Sequence, residues 1–273
     1  MNAFSISSLT NVIIGFLFIT YLGSKFGAGE KTDIYFISVA VVVYFGYIVQ
    51  GIWEAMSPYY VELKLSDKVL SDDLYSVLLN NIIVVSLAVI LVYFFIVNIF
   101  NIVPVDKKNF LDIFVFNLIF QNILLYNKSI LLLESFYAVF YYVDIFIYIV
   151  LFLVVVLMGD DLIYLAYATV IATCVANIFQ FYLIFKSFNI KYNFKFHNKN
   201  SREIIINSYK LKLGSVFYGS KDIVLVYIFM GAGEGMYSLY SYANKFSGII
   251  LQIVNAPIMN VFFHKANQQI SKG

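Results

Sequence analysis

"KFGAGEKTDIYF", residues 25–36, and "FMGAGEGMYSLY", residues 229–240, carry the same tetrapeptide, Gly-Ala-Gly-Glu. Each copy breaks two long apolar runs, and those runs decide the class of fold. A helix needs about 20 apolar residues to cross the hydrocarbon of a bilayer. Eight runs approach or exceed that length: Ile6 to Leu22, Ile34 to Met56, Val77 to Phe100, Leu111 to Leu133, Val143 to Met158, Leu162 to Phe185, Leu211 to Met230 and Met236 to Phe263. Lipid offers backbone N–H and C=O groups no partners, so spanning segments are helices or closed barrels, and runs this continuous are not barrel strands. The expectation is an all-α polytopic membrane protein with about eight transmembrane helices.

Composition points the same way: the chain is 62% hydrophobic and 12% charged, with a mean hydropathy of +0.84. Soluble domains carry about twice that share of charge. The first run is not read as a removable signal peptide, because residues 1–5 hold no positive charge and no small-x-small cleavage site follows. Lys and Arg concentrate in cytoplasmic loops. With the N-terminus inside, Lys64, Lys68 and the cluster from Lys186 to Lys212 fall inside, leaving only Lys25, Lys31, Lys107 and Lys108 outside. That bias predicts a multi-pass protein of the cytoplasmic membrane with both termini in the cytoplasm. No basic surface interleaved with aromatics points to nucleic acid.

The polar stretch 186–210 reads as a cytoplasmic linker. It separates a six-helix unit, 1–185, from a helix pair, 211–273. The first tetrapeptide joins helices one and two of this scheme, and the second joins helices seven and eight. Both turns then lie outside with the same polarity, as a parallel internal repeat about an axis along the membrane normal requires. The expectation follows that the pair opens a second lobe and that the chain, ending in "HKANQQISKG", is incomplete as a transporter.

"FGAGEKTDIYFISVA" resembles the FGAG-x-x-TDAFFVAF signature of the MurJ (MviN) lipid II flippases, matching it at Phe26, Gly27, Ala28, Gly29, Thr32, Asp33 and Phe36. "YSLYSYANKFSGII" is similar to that family's SxLYYADRLxxxP pattern at Ser238, Leu239, Tyr240, Tyr242 and Ala243, with Asn244 for Asp and Lys245 for Arg. "SKDIVLVYIFMGAGEGMYSLYSYANKF" is also similar to the wider polysaccharide flippases. Both groups belong to the MOP transporter superfamily, whose members have two six-helix lobes around a central cavity. The resemblance implies one such lobe and the start of a second, in a bacterial inner membrane. It also implies a lipid-linked saccharide cargo, whether lipid II for peptidoglycan and cell wall or an O-antigen or capsule precursor. The family's cations late in helix one and in helix two are replaced here by Phe18 and Ile19 and by Gly46 and Tyr47.

Catalytic and metal sets are missing from the pattern, so an enzyme is not expected. Cys174 stands alone, His197 and His264 lie far apart, and GAG follows no strand, which reads against a dinucleotide loop. No phosphate-binding loop for a nucleotide is present, so neither a cofactor nor ATP is expected, and an ion gradient or the membrane potential would drive transport.

Charge inside a membrane is expensive and marks function or a partner. Lys221 is either neutralised by Asp222 or another carboxylate, or lies on the substrate path. Lys245 either snorkels outward or serves as the family's Arg does. Lys128 and Glu134 read as anchors at the inner end of one helix, and Tyr59, Tyr60, Tyr141 and Tyr142 as an interfacial belt. Asn117 and Gln121, four residues apart, share a face that could line a wet cavity. The candidate site is thus Lys221, Asp222, Lys245, Asn117 and Gln121, with the signature turns Gly27, Gly29, Thr32, Asp33, Gly231 and Gly233. A MATE-like drug or metabolite antiporter, or a non-transporting subunit or gene remnant, are the competing readings.

Overall fold

The computed structural model describes residues 2–100, 105–157, 161–197 and 201–249. Eight helices are bounded among them: α1 Asn2–Phe26, α2 Glu30–Ser66, α3 Lys68–Phe100, α4 Val105–Phe114, α5 Asn117–Leu133, α6 Tyr137–Leu157, α7 Ile163–Ser187 and α8 Ser201–Ala232. A further helical stretch, α9, covers residues 236–249. No strand occurs among the described residues. Among the described residues, five segments are long and apolar enough to cross a membrane on length and composition alone. At 1.5 Å per residue, α2 with 37 residues and α8 with 32 also exceed the hydrocarbon thickness.

Helices α4 and α5 are two halves of one run. The break at Val115 and Phe116 has no proline. There the ladder tightens, with Phe116 N–H donating to Ile113 O and Leu118 N–H to Val115 O, both three residues back. With α4 and α5 counted as one, the described residues hold eight helical segments in the order of the eight expected runs.

Alternate helices run in opposite senses, so the assembly has two ends. One carries the Gly-rich turns and is called here the turn end; the other carries the 188–197 segment and is called the linker end. Buried side chains form a turn-end cluster that includes Phe18, Leu22, Tyr35, Phe114 and Leu165, and a linker-end cluster that includes Met56, Tyr60, Leu74, Tyr75 and Tyr126. Helices in lipid are not driven together by the hydrophobic effect, so close packing and interhelical hydrogen bonds must hold them. Such bonds are present: Tyr75 OH donates to Asn127 Oδ1 at 2.9 Å, Asn122 Nδ2 to Ser86 Oγ at 2.8 Å and Asn177 Nδ2 to the Phe120 carbonyl at 2.8 Å. Each contributes about 0.6–2 kcal/mol.

The polar linker is laid along the first turns of α3. Lys191 N–H donates to Asp72, Asn193 N–H to Ser76 Oγ, and Lys195 Nζ to Asp73, while Asn80 Nδ2 donates to the Lys195 carbonyl. Alternate residues of an extended segment thus meet successive turns of a helix. The last ten residues of the expected linker are helical, since α8 begins at Ser201 rather than near Leu211.

Two belt assignments change. Tyr60 and Tyr141 are buried, and Tyr60 OH donates to Glu134 Oε1 at 3.0 Å, a bond that draws the ring inward from the interface. Tyr142 is exposed, and half-buried Tyr59 bonds Glu203 on α8.

Candidate functional site

The two Gly-rich turns dock on each other. Asp33, in the first turn of α2, is buried and aims its carboxylate at the start of α9. Gly235 N–H donates to Asp33 Oδ2 at 2.7 Å and Ser238 N–H to Asp33 Oδ1 at 2.7 Å. Ser238 Oγ donates to Asp33 Oδ1 at 2.6 Å and stands 2.9 Å from Thr32 Oγ1. The first N–H groups of a helix have no intrahelical acceptor, and a carboxylate placed there satisfies them and complements the helix dipole. Asp33 therefore caps a helix some 200 residues further along the chain. Tyr242 OH adds a bond to the Gly27 carbonyl at 3.1 Å.

The contact has a regular form. Helix α1 ends one residue before Gly27 and α8 one before Gly233; α2 begins after Gly29 and α9 after Gly235. The structural counterpart of Gly27-Ala28-Gly29 is thus Gly233-Glu234-Gly235, two residues past the tetrapeptide match. Asp33 N–H to the Gly29 carbonyl and Leu239 N–H to the Gly235 carbonyl, each 2.9 Å, open the two helices in the same register. In that register Gly29 faces Gly235, Thr32 faces Ser238 and Phe36 faces Tyr242.

All three equivalent pairs touch. A Cβ on Gly235 would come within 3.0 Å of Gly29 N and 2.6 Å of Ala28 O; the Thr32 and Ser238 hydroxyls meet; and the Phe36 and Tyr242 rings pack edge to face at 5.0 Å. Contacts of equivalent residues with one another mark a two-fold axis. Here the axis passes between the first turns of α2 and α9. Helix pairing follows suit: α2 packs along α8, with Gly219 against the Tyr47 ring, while Gly23 and Phe16 of α1 meet Tyr242 and Phe246 of α9. Gly231, placed in the turn by the sequence reading, lies instead in the last turn of α8, and Gly233 ends that helix.

No protein-family model and no curated protein matches the sequence. Solved structures do. A MOP superfamily transporter from Pyrococcus furiosus aligns with a TM-score of 0.68 at 13% identity, over 92% of this chain and 61% of its own. An outward-facing multidrug-resistance MATE transporter of the same superfamily gives 0.69 at 14%, and a MATE transporter bound to MaL6 gives 0.70 at 14%, with the same coverage. The fold is that of the MOP transporters. The chain spans about three fifths of the length of these structures.

Within this MOP-type arrangement the expected site residues do not converge. Thr32, Asp33, Gly27 and Gly29 meet the second turn as described. Lys221 is exposed on α8 with its ammonium 3.7 Å from the centre of the Tyr218 ring, Asp222 beside it is half-buried, and Lys245 is exposed on α9. Asn117 is buried and Gln121 half-buried on α5, inside the six-helix unit and apart from those cations.

Lys128 is not an anchor. It is 5% exposed, forms an ion pair with Asp144 of α6 and lies 4.7 Å from the centre of the Phe140 ring. Glu134 pairs instead with Lys64 of α2. Sequence alone gave Asp144 no role, although a single acid within "YYVDIFIYIV", on the helix that follows the one with a lone Lys, is the signal for such a pair. Cys174 is free and partly accessible on α7.

Proposed function

We propose that the chain is a transporter of the MOP type that moves an isoprenoid-linked saccharide from the inner to the outer leaflet by alternating access. The observation that carries this reading is the two-fold contact of the Gly-rich turns, latched by Asp33. Two pseudo-equivalent helix pairs that meet on an axis can rock against each other, and a contact confined to one end can open while the other end closes. The Lys and Arg distribution supports placing the turn end outside, so the latch would be the outer gate, closed in this conformation. Helix start and carboxylate would part as the gate opens, exposing the N–H groups of Gly235 and Ser238 to water. The chain acts by this motion and not by bond chemistry, with an ion gradient or the membrane potential biasing it.

The likeness to multidrug MATE transporters favours a second reading, a drug or metabolite antiporter. The α8–α9 pair carries Lys221 and Lys245, which suit a diphosphate headgroup, together with Asp222 and the exposed Glu234, carboxylates of the kind a cationic drug calls for. The test is reconstitution into vesicles with a fluorescent undecaprenyl-diphosphate saccharide in one arm and a fluorescent cationic drug in the other. Translocation of the lipid alone supports the flippase; translocation of the drug alone supports the antiporter; neither supports the non-transporting subunit.

A further inference from the structure

Residues 190–197, "IKYNFKFH", run extended along α3, and their side chains alternate between two faces. One face is stitched to α3 through Lys191, Asn193 and Lys195, as described above. The other carries Tyr192, Phe194 and Phe196, all exposed, and Phe194 is 76% exposed. The Phe194 and Phe196 rings pack edge to face at 5.0 Å, which makes one apolar knob of the two. Such a knob on an otherwise polar segment asks for a partner.

The place of the segment says what that partner is. Ser76 and Asn80, which hold it, lie on a stripe of α3 that continues at steps of four and three residues through Val84, Leu87 and Leu91. Those three side chains are exposed and apolar on a helix able to span a bilayer, so the stripe faces lipid. The segment therefore lies on the outer rim of the bundle, where α3 passes from its polar first turns into the apolar run that starts at Val77. Its hydrogen bonds reach from Asp72 to Asn81, about 14 Å of helix toward the hydrocarbon.

The backbone of the segment is prepared for that level. The N–H groups of Lys191, Asn193 and Lys195 donate to Asp72, to Ser76 Oγ and to the Asn193 carbonyl, and the carbonyls of Lys195 and Phe196 accept from Asn80 and Asn81. Peptide groups next to hydrocarbon require such partners, whereas those of a loop in water do not. Exposed cations flank the knob, Lys186 and Lys191 before it and Arg202 after it. Asp72 and Asp73 on α3 are engaged by Lys191 N–H and Lys195 Nζ. Aromatic rings favour the interfacial zone of a bilayer, and basic residues beside it attract anionic headgroups.

We propose that residues 190–197 form a membrane strap: Phe194 and Phe196 enter the leaflet at the linker end, and Lys186, Lys191 and Arg202 gather anionic phospholipid around them. Because α8 starts at Ser201, the strap also fixes where the α8–α9 pair leaves the six-helix unit. It requires a chain embedded in a bilayer and no particular cargo.

Trp53 is the single tryptophan, so Phe194→Trp in a Trp53→Phe background puts one reporter in the knob of the full chain. Phe196→Trp takes its place if the first variant melts lower. The protein is reconstituted in vesicles of phosphatidylcholine and phosphatidylglycerol at equal mole fractions, with bromine on the acyl chains of one lipid or the other. The expected result is emission blue-shifted from that of free tryptophan, little quenching by aqueous iodide, and quenching several-fold stronger from brominated phosphatidylglycerol than from brominated phosphatidylcholine. Lys186→Gln, Lys191→Gln and Arg202→Gln together should remove that difference while quenching by brominated lipid persists. Emission quenched by iodide and not by brominated lipid overturns the proposal in favour of a face that meets water or a soluble protein. Equal quenching by the two lipids before the cations are replaced overturns it in favour of ordinary interfacial lipid. A phosphatidylglycerol preference that survives the three substitutions overturns the assignment of those cations.

Discussion

Replacing Asp33 should open the turn end. Its carboxylate accepts two backbone N–H groups and one hydroxyl from α9, all within 2.7 Å. Asp33→Ala leaves the N–H groups of Gly235 and Ser238 without an acceptor in a buried setting. Each such loss costs about 1–3 kcal/mol, less what water recovers as the turns part. A net loss of about 3 kcal/mol shifts the closed-to-open ratio by roughly 100-fold, since each 1.4 kcal/mol is a factor of ten. Asp33→Asn keeps one carbonyl acceptor and loses the charge, for about 1–2 kcal/mol and a shift near ten-fold. Hydrogen exchange in nanodiscs reads this directly, because amide exchange under native conditions follows the free energy of local opening. Peptides covering 233–242 should lose protection by roughly those factors, with α5 to α7 unchanged. Unaltered exchange at 233–242 in Asp33→Ala would refute the latch, and uniform loss across all helices would assign Asp33 to overall stability instead.

The register of the two turns makes a paired prediction. Gly235→Ala should destabilise the closed contact by about 2–5 kcal/mol, combining a left-handed backbone at φ +79 with a Cβ 2.6 Å from the Ala28 carbonyl, whereas Gly231→Ala should be neutral or stabilising by up to about 1 kcal/mol in helix α8; exchange protection at 27–36 separates them. Asp144→Leu alone should lower abundance and melting temperature, because it strands the buried Lys128 at a cost of about 3–5 kcal/mol, while Lys128→Met with Asp144→Leu should restore both, as measured by fluorescence size-exclusion melting. In the linker, Asp73→Asn should change stability by less than about 1 kcal/mol, because Lys195 is half exposed, but Asp73→Asn with Ser76→Ala should speed tryptic cleavage at Lys191 and Lys195.

The helical class was legible because run length is a one-dimensional property: a stretch such as "VLLNNIIVVSLAVILVYFF" has no other stable form in lipid. Thr32 and Asp33 were legible as a signature, but their partners were not, since a capped helix start 200 residues away leaves no trace beside them. The tetrapeptide match itself misled by two residues. Identical letters put Gly231 opposite Gly27, yet helix α8 runs through Gly231 and stops only where Gly233 permits a positive φ. Lys128 was assigned to the interface because depth was counted from an assumed helix end, while the true constraint is Asp144 on the neighbouring helix. The stitching of the linker to Asp72, Asp73, Ser76 and Asn80 was invisible for the same reason as the latch: the partners lie 115–122 residues apart in the chain, and neither segment carries a trace of the other.

Alternating access through the turn end is tested most directly by locking it. The Thr32 and Ser238 hydroxyls are 2.9 Å apart, so cysteines at both positions, in a background with Cys174→Ser, are placed to form a disulfide across the two-fold contact. The measurement is translocation of a fluorescent undecaprenyl-diphosphate saccharide in proteoliposomes, before and after reduction of that bond. The account predicts no translocation while the disulfide is intact and translocation on addition of dithiothreitol. Equal rates in the oxidised and reduced protein would contradict it.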